Sequence, residues 1–219
     1  MAEQIEVFQD MQLKGPSAKR ADLRNALIEA AVEPWKADMQ RTAEMARYSN
    51  MQDTILFRRE ASKGFPAAGL ALWENEDGYY VSNIVPIELG SLSFTEYNAI
   101  LVDFAQRVAE PVVAKFGFSI VTTSSHETLS SWLSRDAADK LHLFSVAANK
   151  STGSSHPSDR RRWLHFIVAA HESKNKLDAG TLARWLHEVE GWDEDSAHDL
   201  AGDFERSLDL LAFYDGHRA

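Results

Sequence analysis

Ala68-Gly69-Leu70-Ala71-Leu72-Trp73, then Asn75-Glu76-Asp77-Gly78, then Tyr79-Tyr80-Val81-Ser82-Asn83-Ile84-Val85, is the stretch on which the fold turns. Two short runs rich in β-formers flank an Asp-Gly pair, and Asp-Gly supplies the positive-φ positions that a tight hairpin needs. Thr54 to Arg59, just upstream, is a third run of the same kind, and Phe118 to Thr122 downstream is a fourth.

Helical signals surround these strands. Ser93-Phe94-Thr95-Glu96 has capping-box spacing, and Tyr97, Ile100, Leu101, Phe104 and Val108 follow at the intervals of one helix face. That helix is expected to end near Gly117, which suits a left-handed cap. Arg20 to about Tyr48 reads as a helix kinked or broken before Pro34, with Leu23, Leu27, Ala30 and Ala31 inward. The first half therefore predicts an α+β unit, a small and mainly antiparallel sheet with helices on one face.

After Thr123 the apolar period becomes helical, so the expected organisation is a sheet domain over 1–123 and a helical domain over 124–219, packed on the first. Ser124-x-x-Glu127 predicts a capped helix through Trp132, and Ser134-Arg135-Asp136 begins another carrying Ala138, Leu141 and Phe144. A Ser/Thr/Gly-rich linker over 149–157 interrupts the pattern. Helices over Pro157 to His171, Thr181 to Glu190 and Asp193 to Tyr214 follow, a bundle that would gather Trp163, Trp185 and Trp192.

Composition bounds the chemistry. The 219 residues are 44% hydrophobic and 26% charged, as in an ordinary globular protein. With no cysteine there is no disulfide, thiolate nucleophile or thiolate-bound metal. No apolar run approaches the ~20 residues that span a bilayer, and the acidic Met1 to Val7 segment does not read as a secretory signal, so a cytoplasmic location away from membranes is expected. The formal net charge of −10 disfavours nucleic acid as a partner.

That charge is unevenly placed. Arg135 to Arg184 holds nine Lys and Arg against five Asp and Glu, whereas His187 to Asp215 holds ten acidic residues and only Arg206. The acidic last helix can pair with the basic part of its own bundle or with a basic partner. Glu194, Asp199, Asp203 and Asp209 are the partner-binding candidates.

A second candidate is an anion site at Ser155, His156, Arg160 and Arg162, where a helix N-terminus meets Arg160-Arg161-Arg162. Three consecutive arginines cannot all face one group, because helical neighbours point ~100° apart. The Walker pattern is absent. The pairs Glu194/His198 and His187/Glu190 have helix-face spacing but no H-E-x-x-H signature, and no serine lies in G-x-S-x-G. No catalytic residue, metal site or cofactor is therefore expected. The sequence favours a non-catalytic interaction or regulatory protein, such as an accessory subunit of a larger assembly or an acidic antitoxin-like or immunity-like inhibitor. The alternative is an enzyme or binding protein for a phosphate-bearing small molecule at the Ser155 to Arg162 helix start.

Overall fold

A computed structural model describes residues 3–48, 54–62, 64–152, 156–173 and 176–217. Two compact units divide them: 6–125, and 126–219 together with 1–5.

In chain order the first unit holds β1 (Ile5–Glu6, shared with the boundary), β2 (Met11–Lys14), α1 (Arg20–Ala30), β3 (Trp35–Ala37), α2 (Met39–Tyr48), β4 (Ile55–Arg59), β5 (Ala68–Asn75) and β6 (Gly78–Pro86). It continues with α3 (Phe94–Phe104), a π-helical turn (Ala105–Ala109), α4 (Glu110–Val113) and β7 (Ser119–Thr122). Six strands form one sheet in the order β3-β4-β5-β6-β2-β7, and every neighbouring pair is antiparallel. The fold is α+β. Asn75 pairs with Gly78 at the hairpin, where Gly78 takes φ 145°, and a Cβ there would lie 2.0 Å from the Leu13 carbonyl oxygen, so only glycine lets β2 and β6 approach.

Alternation sorts the sheet into two faces. Ile55, Phe57, Ala68, Leu70, Leu72, Met11 and Leu13 are buried against Leu23 and Leu27 of α1, and Ile100, Leu101 and Phe104 of α3. Phe104 lies edge-on to Trp35 at 5.1 Å and 4.9 Å from Phe57, tying α3 to β3 and β4. The Ser93 capping box forms as expected, and Gly117 caps the far end of the segment with φ 76°.

Three expectations need correction. The break before Pro34 forms, with α1 ending at Ala30, but the chain does not resume as helix at once: β3 intervenes after a cis Glu33–Pro34 peptide, and α2 begins at Met39. Proline lacks the N–H a helix would need there and disfavours α geometry at Glu33, while Trp35 and Ala37 gain partners on β4. β2 adds a further strand, in mid-sheet. Ser124 and Glu127 do not cap a helix; His126–Glu127 is β8, pairing with β1 in a two-stranded ribbon, and Leu129–Ser131 is a single 3₁₀ turn.

The second unit holds α5 (Arg135–Ala147), α6 (Pro157–Glu172), α7 (Ala179–Glu188) and α8 (Glu194–Gly216). Side-chain acceptors cap all four: Ser134, His156, Asp178 and Asp193 each accept a backbone N–H of the first turn. Phe144 is the hub of the core, stacked on Trp192 at 5.3 Å and tilted against Trp163 at 4.9 Å. Trp192 Nε1 donates to Ser145 Oγ at 2.8 Å, which satisfies the one polar atom of a buried indole. Trp185, also buried, faces Trp132 instead, 6.3 Å away.

Candidate functional site

The charge asymmetry of the helical unit is partly resolved inside it. α8 packs on α6 through a Phe166/Phe204 stack at 5.3 Å, and two α8 carboxylates serve that contact: Asp203 Oδ2 accepts Trp163 Nε1–H at 2.8 Å, and Asp215 Oδ2 lies 2.7 Å from His171 Nε2. Glu194, Asp199 and Asp209 are exposed and enter no ion pair among the described residues. All four acidic candidates are exposed, and one of them, Asp203, is also tied to the core by Trp163. Near the end of the same helix Leu210, Phe213 and Tyr214 are 67%, 63% and 53% exposed, an apolar group that helical periodicity assigned to no face.

The anion candidates are not gathered around one point. Ser155 lies outside the described residues. His156 Nδ1 accepts Ser158 N–H at 3.2 Å, so the histidine caps its own helix. Arg162 donates to Asp159 at 2.8 Å, and that buried first-turn carboxylate also accepts Asn149 N–H at 3.4 Å. Arg160 and Arg161 are exposed. A carboxylate already occupying the first turn answers the helix dipole that would otherwise attract an anion.

Of the histidine pairs weighed from the sequence, His187 and Glu190 turn to different partners. His187 Nδ1 sits 2.9 Å from the Trp192 carbonyl, and Glu190 turns to His142, 3.4 Å away. Donor atoms of Glu3, His142 and Glu190 lie within 4.8 Å of one another, the one grouping of three such ligands among the described residues. Lys150 donates to the Glu190 carbonyl, so a cation already stands beside this group.

In the α+β unit the structure brings together residues that sequence reasoning did not single out. Asp103 on α3 accepts from Trp35 Nε1 at 2.8 Å, Arg59 Nε at 3.0 Å and Arg107 Nε at 2.7 Å. Arg59, with its side chain 3% exposed, is otherwise satisfied by the Glu60 carbonyl and Ser62 Oγ, and Phe65 covers it at 4.4 Å. Burial alone would push the Asp103 carboxyl up, but the three hydrogen bonds outweigh it and hold its pKa below the usual aspartate value. A cleft of about 580 Å³ opens over this cluster, lined by Glu33, Pro34, Glu60 and Phe65 among others. Each nitrogen of the Arg59 guanidinium and each oxygen of the Asp103 carboxylate has at least one partner, which fits a brace rather than a reacting group.

Another concavity of this unit lies on the outer face of the sheet. It is mostly apolar, measures about 290 Å³, and is lined by Arg41 and Met45 of α2, Leu56 and Arg58 of β4, Gly69, Ala71 and Trp73 of β5, and Val85 of β6. The one sequence signal for it was the small residues at alternate positions of β5.

No helix among the described residues is long and apolar enough to cross a membrane. No known protein family, curated protein or solved structure matches this chain.

Proposed function

We propose that this chain is a non-catalytic interaction protein of the cytoplasm, an accessory subunit or acidic inhibitor, that docks a basic protein partner on α8. The observation that carries this reading is the composition of the α8 surface left over after packing on α6. Glu194, Asp199 and Asp209 are exposed, Arg206 is the only cation from His187 to Asp215, and Leu210, Phe213 and Tyr214 stand clear of the core.

The two kinds of side chain have different work to do. Exposed ion pairs contribute only about 0–1 kcal/mol each, so the carboxylates act through long-range attraction and raise the rate of encounter. Fully burying a Leu or Phe side chain is worth about 1.5–3 kcal/mol, so Leu210 and Phe213 supply most of the affinity. Asp203 differs from its neighbours because Trp163 already holds it.

A tagged full-length chain, used as bait in cytosol of its native cell at low and high salt, tests the reading. The expected result is one stoichiometric basic protein, captured less at high salt, lost with Leu210→Ser/Phe213→Ser and weakened with Asp199→Lys/Asp209→Lys. A partner retained equally by both double variants, or no stoichiometric partner at either salt, would overturn it.

A further inference from the structure

The concavity on the outer face of the sheet owes its shape to one strand. Ala68, Leu70 and Leu72 of β5 are buried in the core, which turns Gly69, Ala71 and Trp73 to the other face. Register then sets Gly69 between Arg58 and Val85, and Ala71 between Leu56 and Asn83. Two residues with almost no side chain, flanked on both sides by longer ones, leave a hollow in the sheet. A Cβ added at Gly69 would lie in ordinary contact with Val85 Cγ2 at 3.7 Å, so a methyl fits there without strain and a larger side chain would fill the hollow. α2 walls the hollow: Thr42 Oγ1 accepts Leu56 N–H at 3.0 Å, and Arg41 and Met45 of the same helix line it. At about 290 Å³ it has the size of the smaller small-molecule sites, and its lining is mostly apolar.

The donors of Arg41, Arg58 and Trp73 line it together with Asp38, Ser82 and Asn83. Trp73 Nε1 is enclosed and has no hydrogen-bond partner among the described residues, an arrangement that costs stability unless an acceptor is supplied. Arg58 Nε is likewise enclosed without a hydrogen bond, although Glu60 Oε1 stands 3.4 Å away. Arg41 enters no ion pair among the described residues, and the single carboxylate in the lining, Asp38, already accepts Arg41 N–H at 3.0 Å. Glu60 already answers Arg58, so Arg41 is the cation at the hollow that has no ion pair among the described residues. An apolar floor with unpaired donors and a positive charge selects a ligand with an apolar body and an anionic acceptor head.

We propose that this hollow binds a small amphipathic carboxylate, independently of what α8 docks. The apolar body lies on Gly69 and Ala71 between Met45, Leu56 and Val85, and the carboxylate accepts from the donor set of Arg41, Arg58 and Trp73.

Octanoate titrated into the ¹⁵N-labelled full chain tests this, with 1-octanol as the neutral counterpart and Trp73→Phe to assign the Trp73 indole N–H resonance. The expected result is a saturable 1:1 shift of that resonance by octanoate, with octanol binding ~10-fold or more weakly. Arg58→Gln or Arg41→Gln should weaken octanoate ~10-fold while leaving octanol unchanged. Gly69→Val should abolish binding of both, and Ala71→Leu provides a second filling variant should the first not fold. The proposal is overturned if octanoate gives no saturable shift, if the shift survives a folded filling variant, or if neither arginine variant reduces the preference for the acid. Equal binding of acid and alcohol would make the hollow a purely apolar docking face. A ligand-free shift that depends on protein concentration would give it to a second copy of the chain.

Discussion

The α+β unit is braced around charge, whereas the helical unit is braced around aromatic rings. In the first, Asp103 joins β3, β4 and the π-helical turn through three donors on Trp35, Arg59 and Arg107. In the second, Phe144 gathers Trp163 and Trp192, Phe166 stacks on Phe204, and the Trp163 and Trp192 N–H groups donate to Asp203 and Ser145. The surfaces differ in the same way. The sheet unit offers a hollow made by missing side chains, the helical unit a ridge made by exposed ones. A hollow suits a small ligand and a ridge suits another protein, so the two units need not share a function.

The contrast in bracing is most directly broken at its two centres. Asp103→Ala leaves the Arg59 charge buried without a carboxylate and should cost the α+β unit about 3–5 kcal/mol, read as lost hydrogen-exchange protection in β4. Phe144→Ala should cost the helical unit a similar amount, about 3–5 kcal/mol, by cavity formation, read in α5 and α6. Loss of protection in the wrong unit would refute the separate bracing.

Acid should sharpen the difference. Because the Asp103 pKa is lowered on folding, its contribution is complete above the unfolded aspartate value of about 3.9 and disappears as pH falls through the lower folded value. Protection of β4 in the native chain should therefore decline below about pH 4, and the gap to Asp103→Asn should narrow there. A gap constant from pH 7 to pH 3 would contradict the electrostatic brace. Smaller effects belong to local features: Ser134→Ala removes the α5 cap and should cost about 1 kcal/mol by urea unfolding. Asp199→Asn, on the exposed face of α8, should leave the unfolding midpoint unchanged and alter only partner association.

How much of this was legible in the sequence depended on how local each signal is. The Asp77-Gly78 hairpin, the Ser93 capping box, the Gly117 cap and the Asp193 cap are written within four or five residues, and each forms. Trp35–Ala37 is too short to show a period, and its strand character comes from pairing with Arg59, Arg58 and Phe57, twenty or more positions away. Ser124-x-x-Glu127 carries a capping pattern, but His126 and Glu127 pair with a strand near the start of the chain. The same reason hid Asp103 and Arg59, which lie 44 residues apart and signal nothing singly. Gly69 and Ala71 were visible as residues, but which face of β5 helices would cover was not. On α8 the acidic candidates were visible by composition, while the commitment of Asp203 to Trp163 required the packing of two helices.

The measurement that bears most directly on the central claim is the association rate of the captured partner with the full chain, followed from low to high salt. The expected result is a rate that falls steeply with salt, with Asp199→Lys/Asp209→Lys slow throughout and Leu210→Ser/Phe213→Ser associating near normally but dissociating fast. A rate indifferent to salt and to both double variants would contradict the assignment of α8 as the docking helix.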